Sequence, residues 1–187
     1  MNFNKHSKFE GLHAFLSPSQ YHWLRYTDEK LLEKYETQQA ALLGTRLHEF
    51  ASDCIQLGQK LPKCKKTLNS FVNDAIGYRM TSEQTLVYSE NCFGTADAIS
   101  FDDKKRVLRI HDLKTGRTPA KFDQLMIYAA MFCLEYNKQP EKIDIELRIY
   151  QNDEVVELFP EPQDVRDIMD IIVRFDKIIS NRKMEDL

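Results

Sequence analysis

The stretch Cys92–Gly116, CFGTADAISFDDKKRVLRIHDLKTG, decides the fold. Branched and aromatic residues recur from Cys92 to Phe101 and again from Arg106 to Lys114, and Asp102 to Lys105 reads as the turn between two strands. Thr85–Ser89, ahead of a turn at Glu90-Asn91, adds a strand before them. Outward from this meander the period lengthens. Leu43, Leu47, Phe50, Cys54 and Leu57 recur at steps of three and four, predicting a helix over 38–57, and a second helix is expected over 66–80. Downstream, 122–135 is a strongly apolar helix. Ile143, Ile145, Leu147 and Ile149 alternate with Asp144, Glu146 and Arg148, the pattern of a half-buried strand. Asn152-Asp153 turns the chain into a strand over 154–158, and an amphipathic helix covers 163–179. At the other end, Ser17 and Pro18 fit the cap and first position of a helical segment. The order predicts one α/β domain over 1–187, with a helical part at about 17–80 and the sheet and its helices at about 82–187.

The composition excludes several classes. Of 187 residues, 42% are hydrophobic and 29% charged, a globular balance. No apolar run approaches the ~20 residues of a membrane span. Met1 to Glu10 has no apolar core of the kind a signal peptide needs, so an intracellular, cytoplasmic location and no membrane partner are expected. Cys54, Cys64, Cys92 and Cys133 show no C-x-x-C spacing, which argues against structural zinc and for free thiols. The formal charge of −3 is uneven: 141–187 holds 13 acids and 7 bases, whereas 1–140 holds 19 bases and 16 acids. A nucleic-acid partner would therefore meet the first part of the chain.

Chemistry concentrates in a few short motifs. In His111-Asp112-Leu113-Lys114 the strand period puts Asp112 and Lys114 on one side, a carboxylate beside an ammonium. Such a pair suits metal-assisted phosphodiester hydrolysis, and it equally suits a plain ion pair. Gly94-Thr95-Ala96-Asp97 places a second carboxylate among small apolar neighbours, where an unpaired charge is costly. Sharing a divalent cation with Asp112 would satisfy it, as would a pairing with Arg109. Gly44 and His48 lie one helical turn apart, the glycine permitting close approach and the imidazole offering a ligand. Gln124 and Tyr128 share a helix face, placed to hydrogen-bond to the core edge, to touch a phosphate, or to hold the loop carrying Lys114.

In order, Gly44-x-x-x-His48, Gly94-x-x-Asp97, Asp112-Leu113-Lys114 and Gln124-x-x-x-Tyr128 resemble the motifs of the PD-(D/E)XK nuclease superfamily, nearest its RecB-like and phage exonuclease branch. The resemblance runs from about Ser17 to Tyr128. It implies a restriction-endonuclease-like core, a central mixed β-sheet flanked by helices. It also implies that His48, Asp97, Asp112 and the Leu113 carbonyl hold Mg²⁺ or Mn²⁺, that Lys114 is the catalytic lysine with Asp97 and Asp112, and that Gln124 and Tyr128 support the site or DNA. Glu83 corresponds to an additional acid of some members and carries low weight. The Cys-Pro of cluster-bearing members is replaced by Tyr26-Thr27, and no cysteine follows Cys133, so no iron–sulfur cluster is expected.

The expected function is thus a divalent-metal-dependent DNA nuclease, an exonuclease or end- or flap-processing enzyme of recombination, repair or phage DNA processing. A recombination or replication protein in another chain is a candidate partner, since no Walker-type loop is present. Arg117 and Lys121, which follow Lys114 closely, are the preferred candidates for gripping the DNA backbone; Lys63, Lys65, Lys66 and Lys104 to Arg106 are weaker ones. Tyr21, Trp23 and Tyr26 offer stacking faces or core packing. The alternatives are a non-catalytic nucleic-acid- or protein-binding module on the same fold, and a structure- or sequence-specific endonuclease.

Overall fold

A computed structural model describes residues 4–116 and 118–185. The chain separates into two compact units, Met1–Leu43 and Gly44–Leu187, and the division falls inside the first long helix, α1 (Asp28–Gln56).

In the first unit, Pro18–Arg25 is a 3-10 helix broken at Gln20. Ser17 does not cap it through its side chain. Its hydroxyl bonds that of Ser19 at 2.8 Å, and its carbonyl accepts the Trp23 indole N–H at 3.0 Å. Helix α1 begins ten residues earlier than the apolar period indicates. Thr27 Oγ1 accepts the Lys30 N–H at 3.3 Å, and Asp28 and Glu29 occupy the first turn, where the helix dipole favours acids. This start is written in cap chemistry, not in hydrophobic spacing.

The second unit is an α/β fold built on a five-stranded mixed open sheet flanked by helices. Strands β1 (Thr81–Ser89), β2 (Cys92–Asp102), β3 (Val107–Leu113), β4 (Asp144–Gln151) and β5 (Glu154–Leu158) lie side by side in chain order. Neighbours are antiparallel except β3 and β4, which are parallel and therefore need a crossover; α3 (Asp123–Glu135) supplies it. Alternation sorts the core into two clusters. Leu108 and Ile110 of β3 and Ile145, Leu147 and Ile149 of β4 pack with α3 and with Val165 and Met169 of α4 (Pro162–Glu185). Leu113 and Tyr150 join the end of α1 and α2 (Thr67–Gly77) in the other. Each fully buried aliphatic side chain contributes roughly 1.5–3 kcal/mol, so both faces of the sheet are firmly held.

The charged side of β4 is not solvated as its alternation implies. Glu146 is buried and ion-paired to Arg109 at 2.9 Å and to Arg148, which reaches Asp74 and Glu157 as well. Both arginines lie over the Tyr78 ring, so these charges balance one another under a cover of helix and aromatic. Arg109 is thereby committed to Glu146 and not to Asp97.

Strand β1 also starts earlier than expected, at Thr81, so Glu83 lies within it and not ahead of it. The register runs Ser82↔Ala98, then Gln84↔Ala96, leaving Glu83 and Asp97 opposite each other with no bridge between them. Glu83 has φ +50°, a left-handed conformation that L-residues seldom take. Here the side-chain alternation slips: Ala98 belongs to one core cluster and Ala96, two residues away, to the other. The interruption turns both acids toward one spot.

Candidate functional site

That spot gathers side chains from three elements. A ligand nitrogen of His48 on α1, a carboxylate oxygen of Glu83 on β1 and one of Asp97 on β2 all lie within 4.8 Å of one another. His48 Nδ1 is 3.4 Å from Asp97 Oδ2, which also accepts the Leu113 N–H at 2.8 Å. Asp97 is thus tied to the end of β3, where Asp112 stands. Asp112 is only 3% exposed, and its Oδ2 lies 3.0 Å from Lys114 Nζ, at ion-pair distance but outside hydrogen-bond geometry.

Lys114 is held from its other side. Its Nζ donates to Gln124 Oε1 at 2.9 Å, Gln124 Nε2 donates to Tyr128 Oη at 3.4 Å, and Tyr128 Oη donates to the Thr95 carbonyl at 2.6 Å. One turn of α3 therefore fastens the lysine back to β2, two residues from Asp97. Both motif glycines have a steric reason. A Cβ at Gly94 would sit 3.1 Å from Tyr128 Cε1, and one at Gly44 would sit 2.8 Å from Thr115 Oγ1. The first lets the tyrosine cross the strand; the second lets α1 approach the loop after Lys114.

The electrostatics show an excess of negative charge. Burial, then the Asp97 charge, raises the Asp112 pKa above the usual carboxylate range, against the pull of Lys114. Burial and Asp97 raise that of Glu83 as well. The hydrogen bond to Asp97 and the charges of Asp97, Glu83 and Asp112 raise the His48 pKa. The His48 imidazole and the Glu83 and Asp97 carboxylates, close enough to share one ion, are a donor set that a hard divalent cation would accept, with the buried Asp112–Lys114 pair beside them. Oxygen donors suit Mg²⁺, and one imidazole is readily accepted by Mn²⁺.

The structure thus brings together His48, Asp97, Asp112, Lys114, Gln124 and Tyr128, and promotes Glu83 to their company. The Leu113 N–H is engaged by Asp97, while its side chain is buried in the core. Lys121 is exposed just ahead of α3, Arg117 lies outside the described residues, and Lys66 is ion-paired to Asp153 at 3.0 Å. Sequence reasoning overlooked Gln151. Its Nε2 donates to the Gly116 and Thr118 carbonyls at 2.6 and 2.8 Å, and its Oε1 accepts the Ala120 N–H at 3.0 Å, pinning the loop after Lys114. A lone glutamine at a strand end has no signature that would have found it.

Among known proteins, the sequence matches no family model, and the curated proteins searched contain no significant match. No helix among the described residues is long and apolar enough to cross a membrane, and the four cysteines are free thiols.

Proposed function

We propose that this chain is a divalent-metal-dependent deoxyribonuclease with a restriction-endonuclease-like core, acting as an exonuclease or end-processing enzyme. The observation that carries this reading is Lys114, ion-paired to buried Asp112 and aimed by Gln124, beside the His48–Glu83–Asp97 group. The order and pairing of β1 to β4 with the α3 crossover support the core assignment.

His48, Glu83, Asp97 and Asp112 would hold the cation, whose chemistry when bound is to neutralise a scissile phosphate and lower the pKa of water. Asp97 keeps β2 and β3 in register at the reacting position through the Leu113 N–H. Lys114 presents a positive donor to the attacking water or to charge developing on phosphate, and Gln124 and Tyr128 fix its direction before substrate arrives. By analogy with phosphodiesterases of this geometry, the products carry 5′-phosphate and 3′-hydroxyl ends.

The test is to incubate the protein with linear duplex, circular and single-stranded DNA in Mg²⁺, Mn²⁺ or EDTA, beside Asp112→Ala and Lys114→Ala. Cation-dependent loss of linear DNA by the wild type alone is expected, with circles resistant. Cleavage in EDTA, or by both variants at the wild-type rate, contradicts the mechanism. No cleavage of any DNA by the wild type returns the chain to the class of binding modules.

A further inference from the structure

We infer that α1 is an interface helix, through which two copies of the chain pair antiparallel about a two-fold axis level with Thr37. The pairing holds whether or not the chain cuts DNA. Among the described residues of the first unit only Ser17 is buried, so that unit has no core of its own. Units of roughly 40 residues seldom hold together without a disulfide, a metal or a second subunit. On α1, Leu32, Tyr35, Gln39 and Leu42 are all exposed and follow one another at steps of three, four and three. That is the spacing of a helix packed lengthwise against another helix. Phe15 holds the Tyr35 ring edge-on, with centroids 5.4 Å apart. A different face of α1, carrying Lys34, Gln38 and Ala41, lines a cleft with Trp23 and Tyr26, so the stripe is not the face used within the unit.

The order of residues along the stripe selects its occupant. A two-fold pair needs a surface that complements itself: where one residue meets another, the second must meet the first. Turned about the level of Thr37, Leu32 comes to the level of Leu42, Tyr35 to that of Gln39, and Asp28 to that of Arg46. In an antiparallel pair Leu32 therefore meets the partner's Leu42, the Tyr35 hydroxyl meets the partner's Gln39, and Asp28 meets the partner's Arg46. Asp28 and Arg46 lie about five helical turns apart, so both fall on the line of the stripe. Both are exposed, and among the described residues neither makes an ion pair within its own copy. By contrast Lys30 and Glu33, off the stripe, pair with each other at 2.9 Å. A parallel pair would set Asp28 against Asp28 and Arg46 against Arg46. Charge complementarity thus selects the antiparallel order, and the polar Tyr35–Gln39 layers fix its register. A stripe that reads the same from either end, with opposite charges at its two ends, fits a second copy of itself better than an unrelated helix.

Sedimentation velocity on the full chain over about 1–200 µM tests the pairing. The wild type is expected to pass from monomer to dimer across this range. Leu42→Asp, Asp28→Arg and Arg46→Asp should each weaken association by about fivefold or more. The double variant Asp28→Arg/Arg46→Asp should return to within about twofold of the wild type, because the exchanged charges meet again only in an antiparallel pair. Circular dichroism confirms that each variant keeps the wild-type helix content and melting. A wild type that stays monomeric throughout, a dimer indifferent to Leu42→Asp, or a double variant no stronger than its weaker parent overturns the pairing. If the wild type is monomeric and Leu42→Asp instead weakens binding of a labelled oligonucleotide, the stripe belongs to DNA and the pairing is likewise overturned.

Discussion

Gly44 and Thr115 stand so close that a Cβ on the glycine would lie 2.8 Å from the threonine hydroxyl. This approach sets the distance between α1, which carries His48 one turn later, and the strand end that carries Lys114. Replacing Gly by Ala inside a helix normally gains up to about 1 kcal/mol. Gly44→Ala is expected to lose that gain, being neutral or destabilising, whereas in a Thr115→Ala background it should stabilise by ~0.5–1 kcal/mol. Urea unfolding of the four proteins measures the coupling. Equal effects in both backgrounds would remove the steric account.

Asp112 is buried with like charge nearby, so its ionised form opposes folding when no cation is present. Its folded pKa is raised, so its contribution favours the fold at low pH and declines as pH rises through the folded pKa. At neutral pH in EDTA, Asp112→Asn should raise Tm by about 2–4 °C, equivalent to about 1 kcal/mol in a domain of this size, while abolishing cleavage. Calorimetry on the two proteins decides; a lower Tm would mean that the Lys114 ion pair outweighs burial.

His111 is fully buried on the α2 side of β3, and its pKa is lowered to about 3 by burial and by Arg148 and Arg109. The Tyr150 hydroxyl donates to Asp74 at 2.8 Å, so His111 donates to that oxygen from Nδ1 at 3.2 Å and stays neutral. Below pH 6.5 the unfolded chain takes up a proton that the folded chain refuses, so stability falls as pH drops from 6.5 toward 3. Urea midpoints over that range, measured in EDTA, should fall steeply for the wild type and less steeply for His111→Phe. Parallel profiles would contradict this assignment.

Gln151 makes three hydrogen bonds to the loop that follows Lys114. Gln151→Glu keeps the acceptor for Ala120 but sets a carboxylate against the Gly116 and Thr118 carbonyls. Both Gln151→Glu and Gln151→Ala should speed proteolysis within 115–120 and lower kcat about tenfold with little change in KM, the pattern of lost orientation. A changed KM with unchanged kcat would place the loop in substrate binding instead.

The strands and the helices of the second unit were legible because each carries a regular period. β2, α3 and β5 fall within a residue or two of expectation, since Asn and Asp lie at or near their ends. The starts of α1 and β1 were not, because neither lies in apolar spacing: one depends on the Thr27 cap and the other on an interrupted register at Glu83. That same interruption is why Glu83, placed ahead of the strand by its sequence, carried only low weight as a site acid. The pairing of Gln124 with Tyr128 could be anticipated from an i, i+4 face, but Gln151 and the buried Glu146–Arg109–Arg148 network are tertiary facts with no local trace.

The most direct test of the central claim is the single-turnover rate of cleavage of one labelled oligonucleotide in Mn²⁺. The wild type is compared with Asp97→Asn, Lys114→Ala and Gln124→Ala. The account predicts no cleavage in EDTA, losses of about 100-fold or more for Asp97→Asn and Lys114→Ala, and a smaller loss for Gln124→Ala, which only aims the lysine. A wild-type rate that survives EDTA, or a Lys114→Ala rate equal to the wild type, would contradict it.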